Sequence, residues 1–151
     1  MLFRSPAGAV NGLLGSYFNN TTLSGSPVLS RTEAINFSWG SGSPGAGVNA
    51  DNFSARWSGT IEPASTGSYR FRTYSDDGVR VWVNGVQIIN NWTDHAPTNN
   101  TSGNVDLVAG QRYSITVEYY ERGGGATMQL NWRLPGTTSY GIVPAARLYP
   151  N

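Results

Sequence analysis

The sequence predicts an all-β fold, two antiparallel sheets packed as a sandwich of about ten strands. Three observations point there. Short runs rich in Val, Ile, Tyr and Trp are punctuated by 19 Gly, 8 Pro and many Ser, Thr and Asn, which is the grammar of strands and turns. Apolar and polar residues alternate through Tyr69-Arg70-Phe71-Arg72-Thr73-Tyr74 and again through Val79-Arg80-Val81-Trp82-Val83, the period of a strand with one wet face. Finally, Asn84-Gly85 separates the second of these from Val86-Gln87-Ile88-Ile89, a strong short-range hairpin signal.

In chain order, strands are expected at residues 12–18, 35–39, 53–61, 69–74, 79–83, 86–89, 105–108, 113–120, 127–134 and 143–149, each bounded by Gly, Pro, Asn or Ser. The consecutive runs at 69–74, 79–83 and 86–89 read as a three-stranded meander. Loops at 41–49, 90–103 and 121–125 are long or Gly-rich enough to carry a site. The chain has 151 residues, 38% of them hydrophobic, with 5 Trp, 8 Tyr and 5 Phe, which fits one core. One domain is therefore expected over 12–151, preceded by an extension at 1–11.

Charge and composition narrow the function. The ten cationic residues are all arginine, they are scattered, and the net charge is +1, so no basic stripe exists for nucleic acid. With no Cys there is no disulfide frame and no thiolate metal site. Residues 1–10 lack a signal-type apolar core, and no run approaches the ~20 apolar residues of a membrane span. Membrane insertion is not expected.

The usual catalytic signatures are missing, and the expectation is a binding protein, not an enzyme. Gly40-Ser41-Gly42-Ser43-Pro44-Gly45 fits a dinucleotide-binding pattern formally, but Ala46-Gly47-Val48-Asn49 behind it reads as loop where that motif needs a helix. Asp94 and His95, the only histidine, suggest an acid–base pair, yet sequence neighbours on one loop rarely build such a pair. Asp76-Asp77-Gly78 between two strands is, on its own, an ordinary turn or an acidic metal-binding element.

A wider pattern surrounds those aspartates. Gly67-Ser68-Tyr69-Arg70-Phe71, Ser75-Asp76-Asp77-Gly78-Val79-Arg80-Val81-Trp82-Val83-Asn84-Gly85 and Asn91-Trp92-Thr93-Asp94-His95 closely resemble the core signature of the anthrax protective-antigen fourteen-kilodalton domain family. Gly12-Leu13-Leu14-Gly15-Ser16-Tyr17-Phe18 resembles its opening strand, Phe53-Ser54-Ala55-Arg56-Trp57-Ser58-Gly59 its second block, and Val117-Glu118-Tyr119-Tyr120-Glu121 with Leu130-Asn131-Trp132 its closing ones. The resemblance covers about residues 12–149. It implies a carbohydrate-binding β-sandwich of the kind found in adhesins, flocculins, glycosidases and toxins.

The resemblance also implies a site. In calcium-dependent members the two successive aspartates are joined by a cis peptide, which brings both carboxylates to one ion, and Asp76-Asp77 matches that position. Calcium takes about six to eight oxygens, so a second loop must contribute. Glu121 stands where lectin-type members often carry Asn, with Gly123 and Gly125 as carbonyl donors. Trp92, His95 and Gly124 join Asp76 and Asp77 as sugar contacts. The expected function is thus a Ca2+-dependent lectin or adhesin module, extracellular or surface-displayed (virion-associated in one variant), with glycans or polysaccharide as partner. Two alternatives stand beside it: a self-associating fibre, surface-layer or virion subunit that exchanges residues 1–10, and an accessory domain of a glycoside hydrolase.

Overall fold

The structure, a computed structural model, describes residues 11–150. The extension expected at 1–11 therefore lies outside the described residues, apart from Asn11. Thirteen strands follow one another among those residues: β1 (Leu13–Phe18), β2 (Leu29–Glu33), β3 (Asn36–Gly40), β4 (Phe53–Ile61), β5 (Gly67–Asp76), β6 (Val79–Val83) and β7 (Val86–Asn91). Then come β8 (Thr98–Thr101), β9 (Val105–Leu107), β10 (Tyr113–Glu121), β11 (Ala126–Arg133), β12 (Gly141–Ile142) and β13 (Leu148–Pro150), with a single 3-10 turn at Ala145–Arg147. None of the described residues is in an α-helix, and no helix is long and apolar enough to cross a membrane.

The strands form two antiparallel sheets, as expected. The first runs β2-β1-β4-β10-β6-β7, with β13 beside the far half of β4. The second has β11 and β5 at its centre, β3 and β12 on the outer edge of β11, and β8 and β9 on the outer edge of β5. Alternation along the strands supplies the core: Tyr69 and Phe71 of β5 and Met128, Leu130 and Trp132 of β11 meet Trp57, Ile61, Val81, Val117 and Tyr119 of the opposite sheet. At one end of the interior, Tyr17, Phe37, Trp39, Phe53, Trp57 and Tyr119 form a continuous aromatic cluster with centroids 4.6–6.3 Å apart.

The Asn84-Gly85 hairpin is present between β6 and β7, and both residues have positive φ, 53° and 79°, as a two-residue primed turn requires. The meander is corrected. Asp76 pairs with Thr127 in one sheet, while Val79, three residues later, pairs with Tyr119 in the other. Asp77-Gly78 is thus a crossover between sheets, and β5 does not pair with β6.

Three strands, β2, β8 and β12, escaped the periodicity. β8 is Thr-Asn-Asn-Thr, held to β5 by backbone pairing with no apolar residue to announce it, so the expected loop 90–103 is partly strand. β2 carries Arg31 and Glu33 on an edge. Glu33 is the reason it docks: its carboxylate accepts from Trp57 Nε1 at 2.8 Å and from the Tyr17 hydroxyl, and it pairs with Arg31. Of the strand expected at 143–149 only Leu148 and Tyr149 are strand, in β13; a 3-10 turn takes Ala145–Arg147, because Pro144 lacks a ladder donor and Arg147 N–H closes a turn on the Pro144 carbonyl at 3.0 Å, and β12 at Gly141–Ile142 falls just before the expected span.

Glu33 ties three strands together through a mostly buried carboxylate, so Glu33→Gln, which keeps the shape but removes the charge, is expected to lower unfolding free energy by about 1–3 kcal/mol in denaturant titration. An unchanged midpoint and slope would show the cluster to be dispensable.

Candidate functional site

The crossover places carboxylates where water is scarce. The Asp76–Asp77 peptide is cis. Asp77 is buried and Asp76 half-buried, and Glu121, the last residue of β10, is fully buried at 0% exposure. One oxygen from each of these three side chains lies within 4.8 Å of the other two.

Backbone pairing holds this arrangement. Asp77 N–H donates to the Tyr120 carbonyl at 3.1 Å, and Tyr120 N–H donates to the Gly78 carbonyl at 3.1 Å, so the crossover is clamped to the end of β10. The Tyr119 hydroxyl reaches from the core to donate to the Asp76 carbonyl at 2.5 Å, and Ser75 Oγ donates to the Asp77 carbonyl at 2.9 Å. Glycine is demanded at 78 because a Cβ there would sit 2.1 Å from the Tyr120 ring.

The three carboxylates are served unequally. Asp77 Oδ1 accepts from His95 N–H at 3.2 Å and Oδ2 from Arg122 N–H at 2.9 Å. Neither oxygen of Glu121 accepts from an N–H or hydroxyl donor among the described residues, although both are buried. A buried carboxylate without donors is costly in its charged form. Burial, first, then the Asp51 carboxyl, close enough to share a hydrogen bond with Glu121 once one of the two is protonated, and then the charges of Asp77 and Asp76 push Glu121 up to about 8. Burial and the adjoining Asp77 push Asp76 up to about 6, with His95 acting the other way. An all-oxygen donor set with an orphaned, fully buried carboxylate fits a hard divalent cation.

The other expected residues lie around this cluster. Gly123, Gly124 and Gly125 occupy the exposed β10–β11 loop directly after Glu121, with open space around each, and Gly124 has φ +83°. His95 reaches Asp77 through its backbone N–H, while its ring Nδ1 lies 2.8 Å from the Ala96 carbonyl. The Asp94–His95 acid–base pair does not form: Asp94 accepts instead from the Tyr120 hydroxyl at 2.6 Å and pairs with Arg122 at 3.0 Å. Trp92 is packed more than presented, its ring edge-on to Tyr120 at 4.8 Å and one face beneath the Arg80 guanidinium at 3.8 Å. Tyr120, 4% exposed, offers no free face.

Sequence reasoning missed Asp51, whose carboxyl acts on Glu121 from the loop before β4. The register could have found it, since Phe53, two residues on, is the partner of Glu121. It also missed the latch in which Tyr120 and Arg122 hold Asp94, and with it the β7–β8 loop, against the end of β10.

Fold and site together define a two-sheet β-sandwich domain with an acidic cluster at a sheet crossover. The chain belongs to the PA14 domain family, whose match spans residues 9–146. It is 37% identical over 144 residues to the anti-sigma-I factor RsgI3 of Acetivibrio thermocellus, an alignment that takes 95% of this chain and 22% of that protein. A solved anti-sigma factor domain-containing protein superposes with TM-score 0.88 at 37% identity, over 93% of this chain and 49% of the other. This chain therefore spans a fifth to a half of these relatives. A PA14 sugar-binding domain from an RTX adhesin superposes at 0.74 over 95% of this chain and all of its own length, at 20% identity, a likeness of fold.

The raised carboxyls have a measurable consequence. The folded, cation-free protein holds protons that the unfolded chain has already released, on Asp76 from about pH 4 to about 6 and on Glu121 up to about 8, so stability falls as pH rises through that window. Thermal melts in chelator are expected to show a falling Tm from pH 4.5 to 8, and Glu121→Gln to flatten that slope; a slope identical in both proteins would mean Glu121 does not titrate there.

Proposed function

We propose that this chain is a carbohydrate-binding module in which Asp76, Asp77 and Glu121 hold a calcium ion, with carbonyls of the Gly123–Gly125 loop as further ligands. The observation that carries this reading is the fully buried Glu121, both oxygens without donors, beside two more carboxylates. Calcium bound there supplies open coordination positions for the vicinal hydroxyls of a sugar. The backbone donors of His95 and Arg122 keep the Asp77 carboxylate aimed, and the exposed loop at Arg122–Gly125 leaves the approach open. Asp76, the most accessible of the three acids, and Asp77 accept hydrogen bonds from the same hydroxyls. His95, Trp92 and Gly124 stand at the rim, and with Trp92 already packed under Arg80, any stacking would use its remaining surface. The likeness of fold to a sugar-binding adhesin domain supports the same reading.

The stronger likeness to part of an anti-sigma-I factor favours a particular setting. In it the module is the glycan-sensing part of a larger regulatory protein and works outside the cell, where polysaccharide is met, in preference to serving as an adhesin. Mass action then couples glycan to signal: occupancy of this site reports the local concentration of the sugar.

A glycan array of neutral saccharides read in calcium and in chelator tests the mechanism. Binding is expected in calcium only, and Asp77→Asn and Glu121→Gln are each expected to abolish it. Neutral-glycan binding that survives chelator and both variants would contradict a role for the acidic cluster.

A further inference from the structure

The outward face of the β5–β11 sheet carries three arginines that form no ion pair among the described residues. Five of the nine described arginines, Arg31, Arg56, Arg80, Arg112 and Arg122, sit in ion pairs with carboxylates. Three of the remaining four, Arg70, Arg72 and Arg133, stand together on this one face. Arg70 and Arg133 are direct cross-strand partners, and Arg72 follows on the same side of β5, opposite Asn131. Like charges placed directly opposite one another destabilise a sheet. None of the three is in an ion pair among the described residues: Arg70 Nε donates to Asn104 at 2.9 Å and Arg72 Nε to Thr101 at 3.3 Å, both neutral. Asp106, opposite Ser68, and Asp76, at the far end of β5, are the acids of that face, and neither forms an ion pair.

The surroundings say what kind of anion fits. Tyr140 lies under Arg72, 3.8 Å from guanidinium carbon to ring centroid, with Arg133 5.9 Å away on the same ring. An arginine already stacked on an aromatic face is held in plane, with donors free for a planar carboxylate, which a guanidinium grips through two parallel bonds. Asn131 and Tyr74 on the same face offer the neutral hydrogen-bonding groups that hydroxyl-rich ligands use. A phosphate backbone would need a broader basic surface than a chain of net charge +1 provides.

We infer that the outward face of the β5–β11 sheet, through Arg70, Arg72 and Arg133 beside Tyr140, binds a carboxylate-bearing glycan, a chain of uronic acids. This deepens the carbohydrate-binding reading but uses residues other than those of the acidic cluster. Arg72 is four residues from Asp76 along one strand, roughly 13 Å, so one oligosaccharide lying along β5 can touch both. The arginine face selects acidic chains, and the acidic cluster engages hydroxyls at its end.

The test uses chelator throughout, so that calcium neither fills the pocket nor bridges the ligand. A galacturonate hexamer and its fully methyl-esterified form are titrated into the wild-type chain and into Arg72→Gln/Arg133→Gln, at low and at 0.5 M salt. Expected is binding of the acid form alone, weakened about 10-fold or more by the double variant and by salt, with a Tm equal to or above wild type because repulsion is removed. Equal binding of acid and ester, no binding by wild type, undiminished binding by the double variant, or equally tight binding of a DNA hexamer would overturn it. Calcium titration of the same proteins separates the two readings: a wild type that binds the acid hexamer but no calcium keeps this face and loses the pocket mechanism.

Discussion

Between Asp76 and Val79 the chain leaves one sheet and enters the other, and it does so against the last residues of β10. The two backbone hydrogen bonds that join Asp77 and Gly78 to Tyr120 make that passage possible, because they continue a ladder for residues that belong to neither β5 nor β6. Much depends on them. They set the register in which Val79 meets Tyr119, they bring the Tyr119 hydroxyl onto the Asp76 carbonyl, and they leave only a hydrogen at position 78 under the Tyr120 ring. The acidic cluster is a by-product of the same geometry. Fixing Asp77 beside Tyr120 places it next to Glu121, one residue further along.

This arrangement opposes the rest of the fold energetically. The core is built from aromatic and branched side chains in close contact, and it gains by excluding water. At the crossover the same exclusion isolates carboxylates from solvent without giving Glu121 a donor. A buried polar group left unsatisfied costs on the order of 1–3 kcal/mol, more when charged. Sites where a chain tolerates such a cost are where function is concentrated, and here the tolerated chemistry is oxygen, negative charge and partial access from a glycine loop.

Much of the fold was legible because β-sandwich strands announce themselves when one face is apolar. β4 and β6 begin and end where the alternation places them, and Asn84-Gly85 forms the hairpin its residues specify. Strands that lack an apolar face were invisible: β8 is all Thr and Asn, and β2 is held by a carboxylate cluster that exists only once Tyr17 and Trp57 are folded around Glu33. The meander was misread because alternation reports which face a residue takes, not which sheet a strand joins. For the site, resemblance located Asp76, Asp77 and Glu121, and the structure brings these three together. Trp92 is engaged by Arg80, a contact that requires the pairing of β6 with β7 and leaves no trace in spacing. Asp51 is some 70 residues distant in sequence from Glu121, and only the β4–β10 register unites them.

The measurement that bears most directly on the acidic cluster is isothermal titration of calcium into chelator-treated protein at pH 7.5, repeated in two buffers of different ionisation enthalpy. The account requires binding near one equivalent, with protons released as Glu121 gives up the one it holds, and no heat from Asp77→Asn. An absence of calcium binding by the wild-type protein, or binding that is unchanged in Asp77→Asn, would contradict it.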